Sequence, residues 1–69
     1  MFTPEQVETD PILKFFSYEH LKEPMREISS WFASLAYDVI RQCPRNAERT
    51  VALRKLLEAK DAAVRSTVP

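Results

Sequence analysis

There is no glycine anywhere in this 69-residue chain, and that absence excludes a large class of functions. The loops that cradle the phosphates of nucleoside triphosphates and dinucleotides need backbone conformations that only Gly reaches cheaply. Any phosphate held here must meet side chains or helix N-termini. One cysteine, Cys43, and one histidine, His20, make neither an intramolecular disulfide nor the usual four-ligand zinc site, so no metal and no cofactor is expected. Charge of one sign is also missing. Ten basic and ten acidic side chains cancel, which removes the long-range field of a protein that coats DNA, and duplex DNA is not an expected partner. No basic leader opens the chain and no stretch approaches the roughly 18 consecutive apolar residues of a membrane span. The expectation is a cytosolic protein with Cys43 reduced.

The length allows one small domain over residues 1–69. A chain of this size buries only about 60% of the surface that its unfolded form exposes, so its core alone is marginal. With disulfide and metal excluded, self-association is the leading remedy.

Residues 1–23 carry Pro4, Pro11, several acids and the cluster Phe15, Phe16 and Tyr18, and follow neither helical nor strand periodicity for long. They read as an arm with one short turn near residues 9 to 16. Each aromatic offers about 150–250 Å² for burial, so the arm must pack on something. From Pro24 the pattern changes. Met25, Ile28, Phe32, Leu35, Val39 and Cys43 recur at three- and four-residue steps, the apolar stripe of an α-helix, widened by Trp31, Ala36 and Ile40. Pro24 suits the first turn, and Glu23 and Glu27 suit the positive end of the dipole. This predicts a helix over about 24–42, stopped by Pro44.

Asn46 is a good N-cap for a second helix over about 47–66, with Leu53, Leu56, Leu57, Ala63 and Val64 on one face. On its outer face Arg54 precedes Glu58, and Asp61 precedes Arg65, by four residues, a spacing that pairs charges. The short connection forces the helices antiparallel. The fold class is therefore all-α: an antiparallel two-helix hairpin with an N-terminal aromatic arm, assembling into a homo-oligomer. Met25, Ile28, Phe32, Leu35, Val39, Leu53, Leu56 and Leu57 are the expected core. Two helices cannot enclose a core by themselves, and Trp31 and Ile40 in particular call for another protomer.

Catalysis finds little support. His20 with Ser17, Glu19 or Asp10 is the only acid–base group, and nothing fixes its geometry, so no enzyme is expected. Cations offer more. Lys60 lies on or beside the apolar stripe, and either snorkels to its edge or points with Arg65 into an interface to meet an anion. Arg65 equally suits the negative end of the helix dipole. Arg45, Arg49, Arg54 and Lys55 crowd the start of the second helix, where its dipole disfavours them. They form a solvated face paired with acids, or a phosphate offsets that cost. Tyr18 is a packing residue with a wet hydroxyl or a platform on which a base stacks.

Three segments carry a resemblance: Ser17-Tyr18-Glu19-His20-Leu21, Asn46-Ala47-Glu48-Arg49-Thr50, and the run from Ala52 to Arg65, ALRKLLEAKDAAVR. Together they resemble the small phage anti-CBASS proteins and the helical-hairpin domain that these share with some anti-Thoeris proteins. The resemblance covers roughly residues 17 to 66. It implies a sponge, a hexamer of antiparallel hairpins in the host bacterial cytoplasm. Such a sponge sequesters cyclic di- and trinucleotides, such as cyclic GMP-AMP or cyclic tri-adenylate, without cleaving them, in pockets between protomers. Carried over residue by residue, it implies ligand contacts at Tyr18 and His20 beside the arm, at Lys60 and Arg65 near the end of the second helix, and at Arg49 and Thr50 near its start. Many relatives carry Lys-Pro-Phe where this chain reads Ser30-Trp31-Phe32; with that lysine gone, Arg26 is the substitute one turn earlier. The alternative is a protein-interaction module that presents Trp31, Phe15 and Phe16 to a host protein, since aromatics are common interface anchors.

Overall fold

The computed structural model of the chain describes residues Met1–Pro69. It is all-helical, with α1 over Pro4–Thr9, a 3₁₀ helix over Pro11–Phe16, α2 over Met25–Gln42 and α3 over Ala47–Arg65. No helix is long and apolar enough to cross a membrane.

The N-terminal residues are more ordered than a single turn. Thr3 and Gln6 form a reciprocal capping box: the Gln6 amide donates to Thr3 Oγ1 (3.1 Å) and the Thr3 amide to Gln6 Oε1 (2.8 Å), with Pro4 in the first helical position. Pro11 pushes Asp10 out of the helical region, to φ −127° and ψ 82°, and ends α1 there. The 3₁₀ geometry that follows eclipses residues three apart. Asp10, Leu13 and Phe16 therefore share one face, and all three are buried.

Helices α2 and α3 are joined by residues 43–46 and pack along each other. Pro24 stands just before α2, after a cis Glu23–Pro24 peptide bond. Glu23 Oε1 accepts from the Glu27 amide at 3.0 Å. At the other end Asn46 Oδ1 accepts from the Arg49 amide at 2.9 Å and caps α3. Arg49 Nη1 donates to the Ile40 carbonyl at 3.3 Å, which ties the two helices together at the turn end.

The core is Leu13, Phe16, Ala33, Ala36 and Leu53, all at 1% exposure or less. Its centre on α2 is not the large apolar stripe but the small residues Ser29, Ala33 and Ala36, because only small side chains leave room for Phe16 and Leu13 to seat against the helix. Each of those two contributes about 1.5–3 kcal/mol by burial. Of the expected core, Leu53 is buried, while Met25, Ile28, Phe32, Val39, Leu56 and Leu57 are half-buried flanks. Leu35 is 51% exposed, a correction with the same cause: the stripe is rotated away from the line that α3 and the 3₁₀ helix cover. Ile40 packs against the core, whereas Trp31 stands in solvent.

Candidate functional site

The residues singled out as ligand contacts divide between the two ends of the helix pair. Arg49 and Thr50 lie at the turn end. Tyr18, His20, Arg26, Lys60 and Arg65 lie at or toward the opposite end, where the loop over residues 17–23 leads into α2 and where α3 finishes. Arg49 and Arg65 are about 24 Å apart along α3 at 1.5 Å per residue, so within one chain they do not share a ligand of dinucleotide size.

At the turn end Arg49 is only 9% exposed, and its guanidinium is occupied. Nη2 meets Asp10 Oδ2 at 2.6 Å, and Nη1 donates to the carbonyls of Ile40 (3.3 Å) and Cys43 (3.1 Å). Two of the last carbonyls around the end of α2, left without intrahelical partners, are thus satisfied by a cation at the negative end of that helix's dipole. The dipole of α3 disfavours Arg49 while that of α2 favours it. Nε is buried and makes no hydrogen bond within the chain. Thr50 is exposed, its hydroxyl donating to the Asn46 carbonyl at 3.4 Å.

Lys60 is likewise engaged. It is 9% exposed, with Nζ donating to the Phe15 carbonyl at 3.0 Å and lying 3.1 Å from Asp61 Oδ1. The two cations therefore fasten the N-terminal segment to the helix pair, Arg49 through Asp10 and Lys60 through the end of the 3₁₀ helix. The charge pairs Arg54–Glu58 and Asp61–Arg65 do not form; Lys55 pairs with Glu58 at 3.6 Å instead.

The other candidates stand on open ground. His20 and Arg65 are exposed and make no side-chain hydrogen bond or ion pair within the chain. Arg26 is exposed, with Nε 3.5 Å from Glu23 Oε1. Tyr18 is half-buried against the core, and its carbonyl accepts the Leu21 amide at 3.0 Å, closing the turn that carries His20. Beside it, the Glu19 carboxylate is held below its ordinary pKa of 4.5 by hydrogen bonds from its own backbone amide and from that of Tyr18. The amides of Arg26, Glu27 and Ile28 in the first turn of α2 already have acceptors in Lys22, Glu23 and Pro24, so an anion at this end relies mainly on side chains.

Two shallow depressions mark the surface. One of about 250 Å³ is lined by Glu5, Gln6, Thr9, Asp10, Ile40 and Arg49, and one of about 280 Å³ by residues of the N-terminal segment between Met1 and Glu19. Neither is lined by Tyr18, His20, Arg26, Thr50, Lys60 or Arg65, and both fall short of the roughly 300–1,000 Å³ usual for a ligand site. No group of three or more His, Cys, Asp or Glu side chains is placed to hold a metal ion. Sequence reasoning missed Asp10 as the partner of Arg49 and Phe15 as that of Lys60. They stand 39 and 45 residues away, and the one available signal was the three-residue spacing of Asp10, Leu13 and Phe16. Compared with protein-family models, curated proteins and solved structures, the chain shows no significant match to any of them.

Proposed function

We propose that this chain is a sponge for cyclic di- or trinucleotide signals. It sequesters them without cleavage in the cytoplasm of a phage-infected bacterium, as a homo-oligomer of hairpins that resemblance puts at six copies. The observation that carries this reading is the grouping of Tyr18, His20, Arg26 and Arg65 at one end of the helix pair, with Arg65 exposed and neutralised by nothing in the chain. Arg65 and Arg26 offer forked donors to phosphate oxygens, and Tyr18 offers a ring to a base. The lack of a closed pocket in the single chain fits a site completed by another copy. Titration calorimetry with cyclic GMP-AMP and with cyclic tri-adenylate tests it. The expected result is binding at fewer than one ligand per chain, intact ligand recovered, and loss of binding in Arg65→Ala. Absence of heat with both ligands, or recovery of linear products, overturns it.

A second reading, a module that docks on a host protein through its aromatic segment, is favoured by Phe15, which is 56% exposed. It predicts that Phe15→Ala abolishes function while Arg65→Ala is nearly silent.

A further inference from the structure

The nucleotide contacts proposed above group at the loop end of the helix pair, and the polar depression at the turn end serves none of them. That depression, of about 250 Å³, is walled by the last turns of two helices, α1 through Gln6 and Thr9 and α2 through Ile40. Helix C-termini carry partial negative charge, so both walls favour a cation. The cation already there, Arg49, is neutralised by Asp10. Glu5 and Thr9 stand four residues apart on one face of α1. The Glu5 carboxylate meets no cation in the chain, and the Thr9 hydroxyl makes no hydrogen bond within it.

The two most buried lining residues are a charged pair that is incompletely used. Asp10 and Arg49 both line the depression, and their side chains are only 10% and 8% exposed. Arg49 Nη2 donates to Asp10 Oδ2 at 2.6 Å, and no other hydrogen bond reaches that carboxylate. An ionised carboxylate offers about four acceptor positions. Asp10 Oδ1 is therefore an anionic acceptor on a buried side chain with no donor in the chain, an arrangement that costs free energy until a donor fills it. Because the pair is neutral as a unit, the unopposed charge in the depression is that of Glu5.

We infer that this depression binds a primary alkylammonium group. The three N–H donors of an ammonium answer the three unused acceptors, Asp10 Oδ1, the Glu5 carboxylate and the Thr9 hydroxyl, while Ile40 gives the carbon stem an apolar wall. A guanidinium suits the place less well, since its planar fork wants both oxygens of one carboxylate and Asp10 Oδ2 is held by Arg49. A metal ion finds no third carboxylate, His or Cys there. The volume is small only by the standard of drug-sized ligands, and a short carbon stem needs less. A free aliphatic diamine and a lysine side chain of another protein present this same ammonium. The site lies apart from the nucleotide end, and ammonium binding here neither needs nor excludes nucleotide binding there.

Proton–nitrogen correlation NMR of the full chain at constant ionic strength tests it, with n-butylammonium, putrescine and Nα-acetyl-lysine methylamide as probes. The expected result is a saturable shift of the Thr9, Asp10 and Ile40 amides with n-butylammonium, and none with tetramethylammonium, which has the charge but no N–H. Glu5→Gln should weaken binding about fivefold, the upper end for an exposed ion pair, and Thr9→Val should weaken it further. Both positions are exposed, so the amide spectra of these variants should otherwise match the parent. Tighter binding of putrescine than of the blocked lysine assigns the site to a free polyamine, and the reverse order assigns it to a protein's lysine. Shifts that stay linear in amine concentration, an equal response to tetramethylammonium, or unchanged affinity when Glu5→Gln and Thr9→Val are combined overturns the inference.

Discussion

The two ends of α3 carry arginines that the sequence offers alike as ligand contacts, and the fold uses them in opposite ways. Arg49 is enclosed, with an acid from a distant segment and two carbonyls at the end of the neighbouring helix engaging its two terminal nitrogens. Arg65 ends the same helix in solvent with no partner in the chain. A cation on a helix therefore says little until the neighbouring helix's dipole and the rest of the chain are placed around it. One end of this molecule spends its charge on holding the fold, and the other keeps its charge available.

Removing Arg49 should break that comparison most severely. Arg49→Met strands the Asp10 carboxylate in a site that leaves its side chain 10% exposed, and breaking a buried pair in this way costs about 3–5 kcal/mol. Total stability for a chain of this length is about 3–10 kcal/mol, so the variant should be largely unfolded or close to it in urea denaturation. Asp10→Leu added to Arg49→Met should recover part of the loss, because an apolar pair needs no compensation. The deficit that remains measures the carbonyls of Ile40 and Cys43, about 1–2 kcal/mol. Full recovery would mean that Arg49 matters only as a counter-ion and not as a cap on α2.

Lys60→Met comes next. The aliphatic stem is replaced and the ammonium is lost, leaving the Phe15 carbonyl without its donor, at about 1–3 kcal/mol. The loss should be local: residues 1–16 should become sensitive to limited proteolysis while α2 and α3 keep their amide-exchange protection. Uniform loss of protection would show that the N-terminal segment and the helix pair unfold as one unit, which the placement of Leu13 and Phe16 in the core also allows.

Much of the helical plan was legible in the sequence. The limits of α2 and α3 follow from Pro24, Pro44 and the Asn46 cap, each a local signal acting over three or four residues. What escaped depended on contacts that no short window contains. The apolar stripe of α2 suggested a core centred on its large residues, yet steric access decides the matter, and Ser29, Ala33 and Ala36 take the centre because Phe16 needs the space. Thr3 and Gln6 form a capping box whose signal, a Thr three residues before a Gln, is local but is followed by no apolar run long enough to mark a helix. Within its own helix Arg49 stands at the unfavourable end of a dipole, and the end of α2 that receives its guanidinium lies outside any short window. Of the candidate site, the two polar clips were legible as unusual cations but not as clips, since Asp10 and the Phe15 carbonyl lie far away along the chain.

Arg65→Ala should change stability by no more than about 0.5 kcal/mol, as expected for an exposed side chain with no partner. That near-silence in denaturation is what makes it the sharpest probe of the free end: a loss of nucleotide binding in a variant of unchanged stability can be assigned to the site. A drop of more than 1 kcal/mol would instead place Arg65 among the groups that hold the fold, on the level of Lys60, and would erase the contrast between the two ends.

The smallest effect concerns Glu19, at the same end as Arg65. Its carboxylate is fully exposed, and its pKa lies below 4.5 because its own amide, and then that of Tyr18, donate to the charged form. A carboxyl whose folded pKa is depressed contributes stability above its unfolded pKa, and that contribution is lost as pH falls through the folded value. The loop over residues 17–23 should accordingly loosen below pH 4.5 and not above it. Carboxyl NMR titration should give Glu19 a midpoint under 4.5, and Glu19→Gln should remove the acid-side change in the Tyr18 and Leu21 amide shifts. A midpoint at or above 4.5 would mean that these amides do not hold the carboxylate, and that the turn presenting His20 is closed by the Leu21–Tyr18 backbone hydrogen bond alone.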